Sequence, residues 1–146
     1  MKYLKTFECC IPMAPQAKGN SRQFGRTWAG KPISRKSDKA RAFMDVAILT
    51  IKSAANGRMF HPQSELRLEC SVGYPTRHSD LDTSLVADAL ERAGVIDNDV
   101  QIGQKREVRG HLLNDFVNVW VTDVGTLPWV RIRDGKPIQA RKESRP

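Results

Sequence analysis

Asp80 and Asp82 stand one residue apart, and Asp99 returns after a segment in which Leu85, Val86, Ala89, Leu90 and Ala93 recur at helical spacing. Acids thus sit at both ends of one short helix. Carboxylates a few ångströms apart repel and raise one another's pKa, so such a cluster calls for a compensating positive charge. A divalent cation is the natural one, with Asp80, Asp82 and Asp99 as its candidate ligands. A plainer role coexists with this one: Asp82 suits the N-cap of its helix, and the helix dipole favours Asp80 nearby. Asp97 and Asn98 read as turn residues. Asp88 falls on the polar helix face with Ser84 and Arg92, where a surface ion pair is expected.

The charge balance says what a cation would be for. The 146 residues carry 24 Lys and Arg against 16 Asp and Glu, a formal net charge of +8, which points to a polyanionic partner. The excess is concentrated. Lys18, Arg22, Arg26, Lys31, Arg35, Lys36, Lys39 and Arg41 are opposed within their stretch by Asp38 alone. Phosphate contact is the better reading of that segment than a merely solubilising surface. A second basic segment, Arg131, Arg133, Lys136, Arg141, Lys142 and Arg145, follows Trp129. A basic protein carrying an acidic metal site suggests a nuclease.

The elements that must position these residues follow from periodicity. Residues 3–11 read as a strand with Tyr3, Phe7, Cys9 and Ile11 on one face, stopped by Pro12 and Pro15, and a long basic, glycine-containing loop follows. From about Ser34, Phe43, Ala47, Ile48, Ile51 and Ala55 mark a helix that Asn56-Gly57 ends. Residues 65–74 alternate, with Leu66, Leu68, Cys70, Val72 and Tyr74 facing a core. The acidic helix closes at Gly94, and strands are expected near 100–109 and 115–123. The order β-α-β-α-β-β implies a single α+β domain over 1–123, with two main helices against a mixed sheet. Residues 124–146 form a basic tail expected to be disordered alone, or to contact DNA or a second subunit through Trp129, Val130 and Ile132.

Three stretches carry a family resemblance: Asp80-Leu81-Asp82 at the head of a helix, the run Asp88-Ala-Leu-Glu-Arg-Ala-Gly-Val-Ile-Asp-Asn-Asp99-Val-Gln, and the N-terminal Pro12-Met-Ala-Pro-Gln-Ala-Lys18-Gly-Asn-Ser-Arg22. In these the chain resembles the RusA family of Holliday-junction resolvases, common in phages and prophages, over roughly residues 3–123. The resemblance implies a homodimer that binds four-way DNA junctions and resolves them by paired symmetric nicks with magnesium or manganese. Asp80, Asp82 and Asp99 match the family's metal-binding acids. Hard cations take oxygen ligands and keep several waters, leaving room for a scissile phosphate and an attacking water. The metal would lower that water's pKa and neutralise charge developing on the phosphate.

The family's catalytic lysine, four positions beyond the second aspartate, is replaced here by Val86, and its asparagine by Thr83. The segment between Asp82 and Asp88 is also two residues shorter than usual, and closing it differently places Ser84 at the lysine position and His78 and Asp80 at the acidic ones. Neither alignment supplies a lysine. Arg77, Lys105 or a basic-loop residue must then take its role, or the chain is a non-cleaving protein that binds branched DNA. Lys18, Arg22, Arg26, Lys31, Arg35 and Arg77 are the expected phosphate contacts. A general RNA or single-strand binder is a third reading.

Trp28 sits between Arg26 and Lys31, where stacking on an unpaired base, core packing and a dimer contact are all open. His61 and His111 suit ordinary surface roles, whereas His78 adjoins the acids. The three cysteines, Cys9, Cys10 and Cys70, lack metal or redox spacing and read as buried free thiols. No apolar run approaches the roughly 18–20 residues of a membrane span, and the N-terminus lacks signal-peptide order. A cytoplasmic chain is expected.

Overall fold

The computed structural model describes residues 2–16, 22–26, 28–76, 81–110, 114–128, 131–133 and 136–138, with backbone alone for 22–26, 33–36, 131–133 and 136–138. Ser37 opens the longest helix, α1 (Asp38–Ala55), by accepting the Ala40 N–H at 3.2 Å. One stripe of α1, formed by Ala40, Phe43, Met44, Ala47, Ile51 and Ala55, is buried. Asn56 (φ 50°) and Gly57 (φ 75°) then turn left-handed and stop it.

The sheet that α1 covers contains β1 (Thr6–Ile11), β4 (Ser64–Gly73), β5 (Ile102–Arg109) and β6 (Phe116–Thr126), in the order β1-β6-β4-β5. β6 is antiparallel to both β1 and β4. β5 runs parallel to β4, which requires a crossover between them. That crossover is α2 (Ser84–Arg92), followed by Gly94 at φ 76° and a single 3-10 turn, Asp99–Gln101. Leu66, Leu68, Cys70 and Val72 alternate inward along β4, and with Val117, Val119 and Val121 of β6 they meet α1 and α2 in one core. This is the expected α+β arrangement of two helices against a mixed sheet.

Two segments differ from their sequence reading. The stretch expected to be a loop contains β2 (Arg22–Arg26) and β3 (Pro32–Lys36), paired antiparallel outside the main sheet from Arg22↔Lys36 to Arg26↔Pro32. Residues 34–36 therefore belong to a strand, and the helix begins at Asp38 instead of near Ser34. In the basic tail, β7 (Arg131–Arg133) pairs with β8 (Lys136–Ile138). Cross-strand hydrogen bonding supplies order that an apolar period could not announce, since neither hairpin has one. Among the described residues, no helix is long and apolar enough to cross a membrane.

Candidate functional site

The N-terminus of α2 is held from several directions. Asp82 Oδ1 accepts the Ser84 N–H at 2.9 Å and the Ser84 hydroxyl at 2.7 Å, an Asx turn that closes the start of α2; the N-cap is Thr83, which makes no side-chain cap bond, instead of Asp82 as the sequence suggested. The Asp82 N–H donates to the Tyr74 hydroxyl at 3.2 Å, just beyond the C-terminal end of β4. Tyr74 is buried, and burial raises its pKa, so it serves there as a neutral phenol. The Arg109 guanidinium lies 5.4 Å from the Tyr74 ring centroid, in cation–π range.

Thr83 is fully buried and both its donors go to β5. Its N–H donates to Glu107 Oε1 at 3.1 Å, and its hydroxyl donates to the same oxygen. Lys105 Nζ lies 2.8 Å from that oxygen as well. Burial pushes the Glu107 carboxyl up, but the hydrogen bonds from Lys105 and Thr83 outweigh it and hold the group below the ordinary carboxylate range. Lys105, which pairs with Leu68 midway along β4, is thereby linked through Glu107 to Thr83, the residue after Asp82.

Asp99 is elsewhere. It is exposed in the 3-10 turn, whose preceding residue, Asn98, caps it by accepting the Val100 N–H at 3.0 Å. Gln101, 1% exposed, fixes this turn: Oε1 accepts the N–H groups of Asp97 and Asn98, and Nε2 donates to the carbonyls of His61 and Ser64 at the start of β4. Ile102, next in the chain, pairs with Leu66, while Glu107 beside Thr83 pairs with Cys70. Five strand residues at ~3.3 Å each put the two ends of the crossover about 17 Å apart. Within one chain Asp82 thus precedes the crossover helix and Asp99 follows it, at the opposite end. Among the described residues, no three His, Cys, Asp or Glu side chains are grouped to hold a metal.

No protein-family model matches the chain, and no curated protein matches it.

Asp80, Arg77, His78, Lys18 and His111 lie outside the described residues. Arg22 and Arg26 lie on β2 and Arg35 on β3, with Lys31 exposed in the connecting turn. Trp28, in the same turn, is 101% exposed, which removes core packing from its three readings. His61 has an ordinary role: Nδ1 accepts the Gln63 N–H at 3.1 Å, and its ring meets Tyr3 edge-on at 4.7 Å. Burial pushes the Cys9 thiol to about 11 and Cys70 to about 12, as suits unreactive free thiols, whereas Cys10, on the alternate side of β1, is exposed and not buried as expected.

Glu107 and Tyr74 have structural roles at the α2 end that sequence reasoning missed. Tyr74 is legible only as a core position, because its hydroxyl partner is a backbone amide eight residues away. Glu107 did leave a signal. Lys105, Glu107 and Arg109 alternate along β5 where a core strand would alternate apolar residues, and such a row of charge marks an edge strand with polar work on one face.

Proposed function

We propose that the chain is a structure-selective endonuclease that binds branched DNA as a homodimer and cuts it with the help of magnesium or manganese. The observation that carries this reading is the link from Lys105 through Glu107 to Thr83, the residue after Asp82: an ammonium tied to the step that holds an acid suits binding of a phosphodiester. Asp82, with its sequence neighbour Asp80, would hold the metal. The metal supplies Lewis-acid neutralisation of the phosphate and an activated water when bound. Lys105 occupies the role for which Val86 is unsuited, and binds a phosphate oxygen as a point charge. Asp99, at the far end of the crossover, is outside this set within one chain. The basic hairpin β2–β3 and Arg77 supply phosphate contacts, and two-fold symmetry of a dimer would match the two equivalent strands of a four-way junction.

A second reading, a non-cleaving protein that recognises branched DNA, is favoured by the placing of Asp82 and Asp99 at opposite ends of the crossover and by the use of Asp82 in the turn that closes the start of α2. The two readings part in one experiment. Purified protein is incubated with a labelled four-way junction or matched linear duplex in magnesium, manganese or EDTA, and products are resolved on a denaturing gel. Symmetric metal-dependent nicks confined to the junction support the endonuclease. Salt-sensitive junction binding without nicks supports the recognition protein, and equal affinity for junction and linear duplex argues against both.

A further inference from the structure

Trp28 is 101% exposed, although an indole is among the largest apolar groups a protein can bury. It occupies the turn of a hairpin whose strands pair along their whole length, from Arg22↔Lys36 to Arg26↔Pro32. Gly30 at φ 80° lets the chain reverse there, with open space around the position a Cβ would take. Ala29, Gly30, Lys31 and Pro32 are exposed with it. No acid occurs between Glu8 and Asp38, whereas Arg22, Arg26, Lys31, Arg35 and Lys36 fall on the two strands and their turn. A large aromatic at the tip of a cationic two-stranded ribbon thus stands outside the core and outside the main sheet.

We propose that this hairpin is a nucleic-acid probe in which the Trp28 indole stacks on an unpaired base while the hairpin's cations hold the flanking phosphates. Stacking requires a flat face and no particular base edge, so a single exposed indole suffices and the contact tolerates any sequence. Branch points and single-stranded segments present such bases, whereas linear duplex keeps its bases stacked. An anionic membrane surface is the competing partner for cations plus tryptophan, but interfacial anchoring uses a broad apolar face. Here Trp28 is the one large apolar residue between Arg26 and Pro32. The inference rests on the DNA-binding part of the proposed function and is independent of cleavage.

The test uses the full chain in EDTA, so that no nicking intervenes. In a Trp120→Phe/Trp129→Phe background, Trp28 is the sole tryptophan, and its fluorescence is followed during titration with oligo(dT), a four-way junction, linear duplex, and vesicles containing phosphatidylserine. Saturable quenching by oligo(dT) and the junction is expected, with little from duplex or vesicles. Trp28→Ala should weaken oligo(dT) and junction binding by about tenfold, the size of one base–aromatic stack, and Trp28→Phe should restore part of it. Linear-duplex affinity and the thermal midpoint should be unchanged. Wild-type affinity of Trp28→Ala for every DNA would overturn the proposal, as would a fluorescence response to vesicles alone. Quenching without nicks in a magnesium assay would instead reject the endonuclease and leave this inference standing.

Discussion

Glu107 accepts both the backbone N–H and the hydroxyl of Thr83, tying the edge strand β5 to the first turn of α2 through one carboxylate oxygen. The register between β4 and β5 brings the two together, since Glu107 lies beside Cys70 and Thr83 reaches back over that position after the chain leaves β4. This part-buried contact is thus one of those that hold the Asp82–Thr83 step, and it links that step to Lys105.

Removing that carboxylate strands two donors of a fully buried residue. Glu107→Ala is expected to destabilise the fold by about 1–3 kcal/mol, the cost of leaving a buried polar group unsatisfied. Thr83→Val in addition should cost less than the sum of the singles, because both delete the same contact. Chemical denaturation of the two single variants and the double variant checks this, and strict additivity would contradict the shared contact.

The same bond has a pH signature. Glu107 is held below its ordinary value of 4.5, so the folded chain binds fewer protons at this site than the unfolded chain. Stability from Glu107 is therefore fully present above about pH 4.5 and is lost as pH falls through the lower folded value. The stability difference between the wild type and Glu107→Gln should be constant from pH 7 to about 5 and shrink in more acidic buffer. Denaturant melts across that range read it directly. A difference that grew on acidification would reverse the assigned sign.

What the sequence made legible and what it concealed divide along physical lines. The two helices and β4 follow from apolar periods and from Asn56-Gly57 and Gly94, because burial and left-handed caps both leave marks in residue type. The β2–β3 hairpin left none, since its order comes from backbone pairing in a polar, basic stretch. For the site, Asp82 was legible as a residue of the α2 start and Lys105 as a candidate cation. The bond from the Asp82 N–H to the Tyr74 hydroxyl was not, because a side chain's backbone partner leaves no mark in residue type.

Gln101 fixes the far end of the crossover, where Asp99 lies. Its side chain satisfies two N–H groups and two carbonyls between the 3-10 turn and the start of β4 while being 1% exposed. Gln101→Ala should cost about 2–4 kcal/mol, near the upper range for single substitutions, by orphaning several buried groups at once. Gln101→Glu should be no milder, because it places a carboxylate oxygen against two carbonyls. Thermal melts would show the loss, and an unchanged midpoint for Gln101→Ala would mean that water replaces the amide fully.

Lys105 is expected to act on cutting and little on binding. Lys105→Ala should lower the nicking rate on the order of 100-fold, comparable to losing one fixed donor to a developing anion. Junction affinity should change by less than about threefold, since one phosphate contact among many is a small share of counterion release. Lys105→Arg should recover part of the rate if charge alone is used. Because Lys105 also shares Glu107, the melt of each variant must be compared with the Glu107→Gln variant, and a rate loss that tracks stability would assign Lys105 a scaffolding role.

Asp82 separates turn formation from chemistry most sharply. Its Oδ1 receives both donors of Ser84, and an asparagine side chain offers a carbonyl oxygen at the same place, so Asp82→Asn preserves the turn. Asp82→Ala removes it and should cost about 1 kcal/mol. If Asp82 holds a metal as well, Asp82→Asn should abolish nicking while junction binding and the melting midpoint stay at wild-type values. Asp82→Ala should then lose both nicking and stability, and Ser84→Ala should lose a little stability and keep nicking. Full cutting by Asp82→Asn would leave the aspartate as a turn residue alone and remove it from the proposed chemistry.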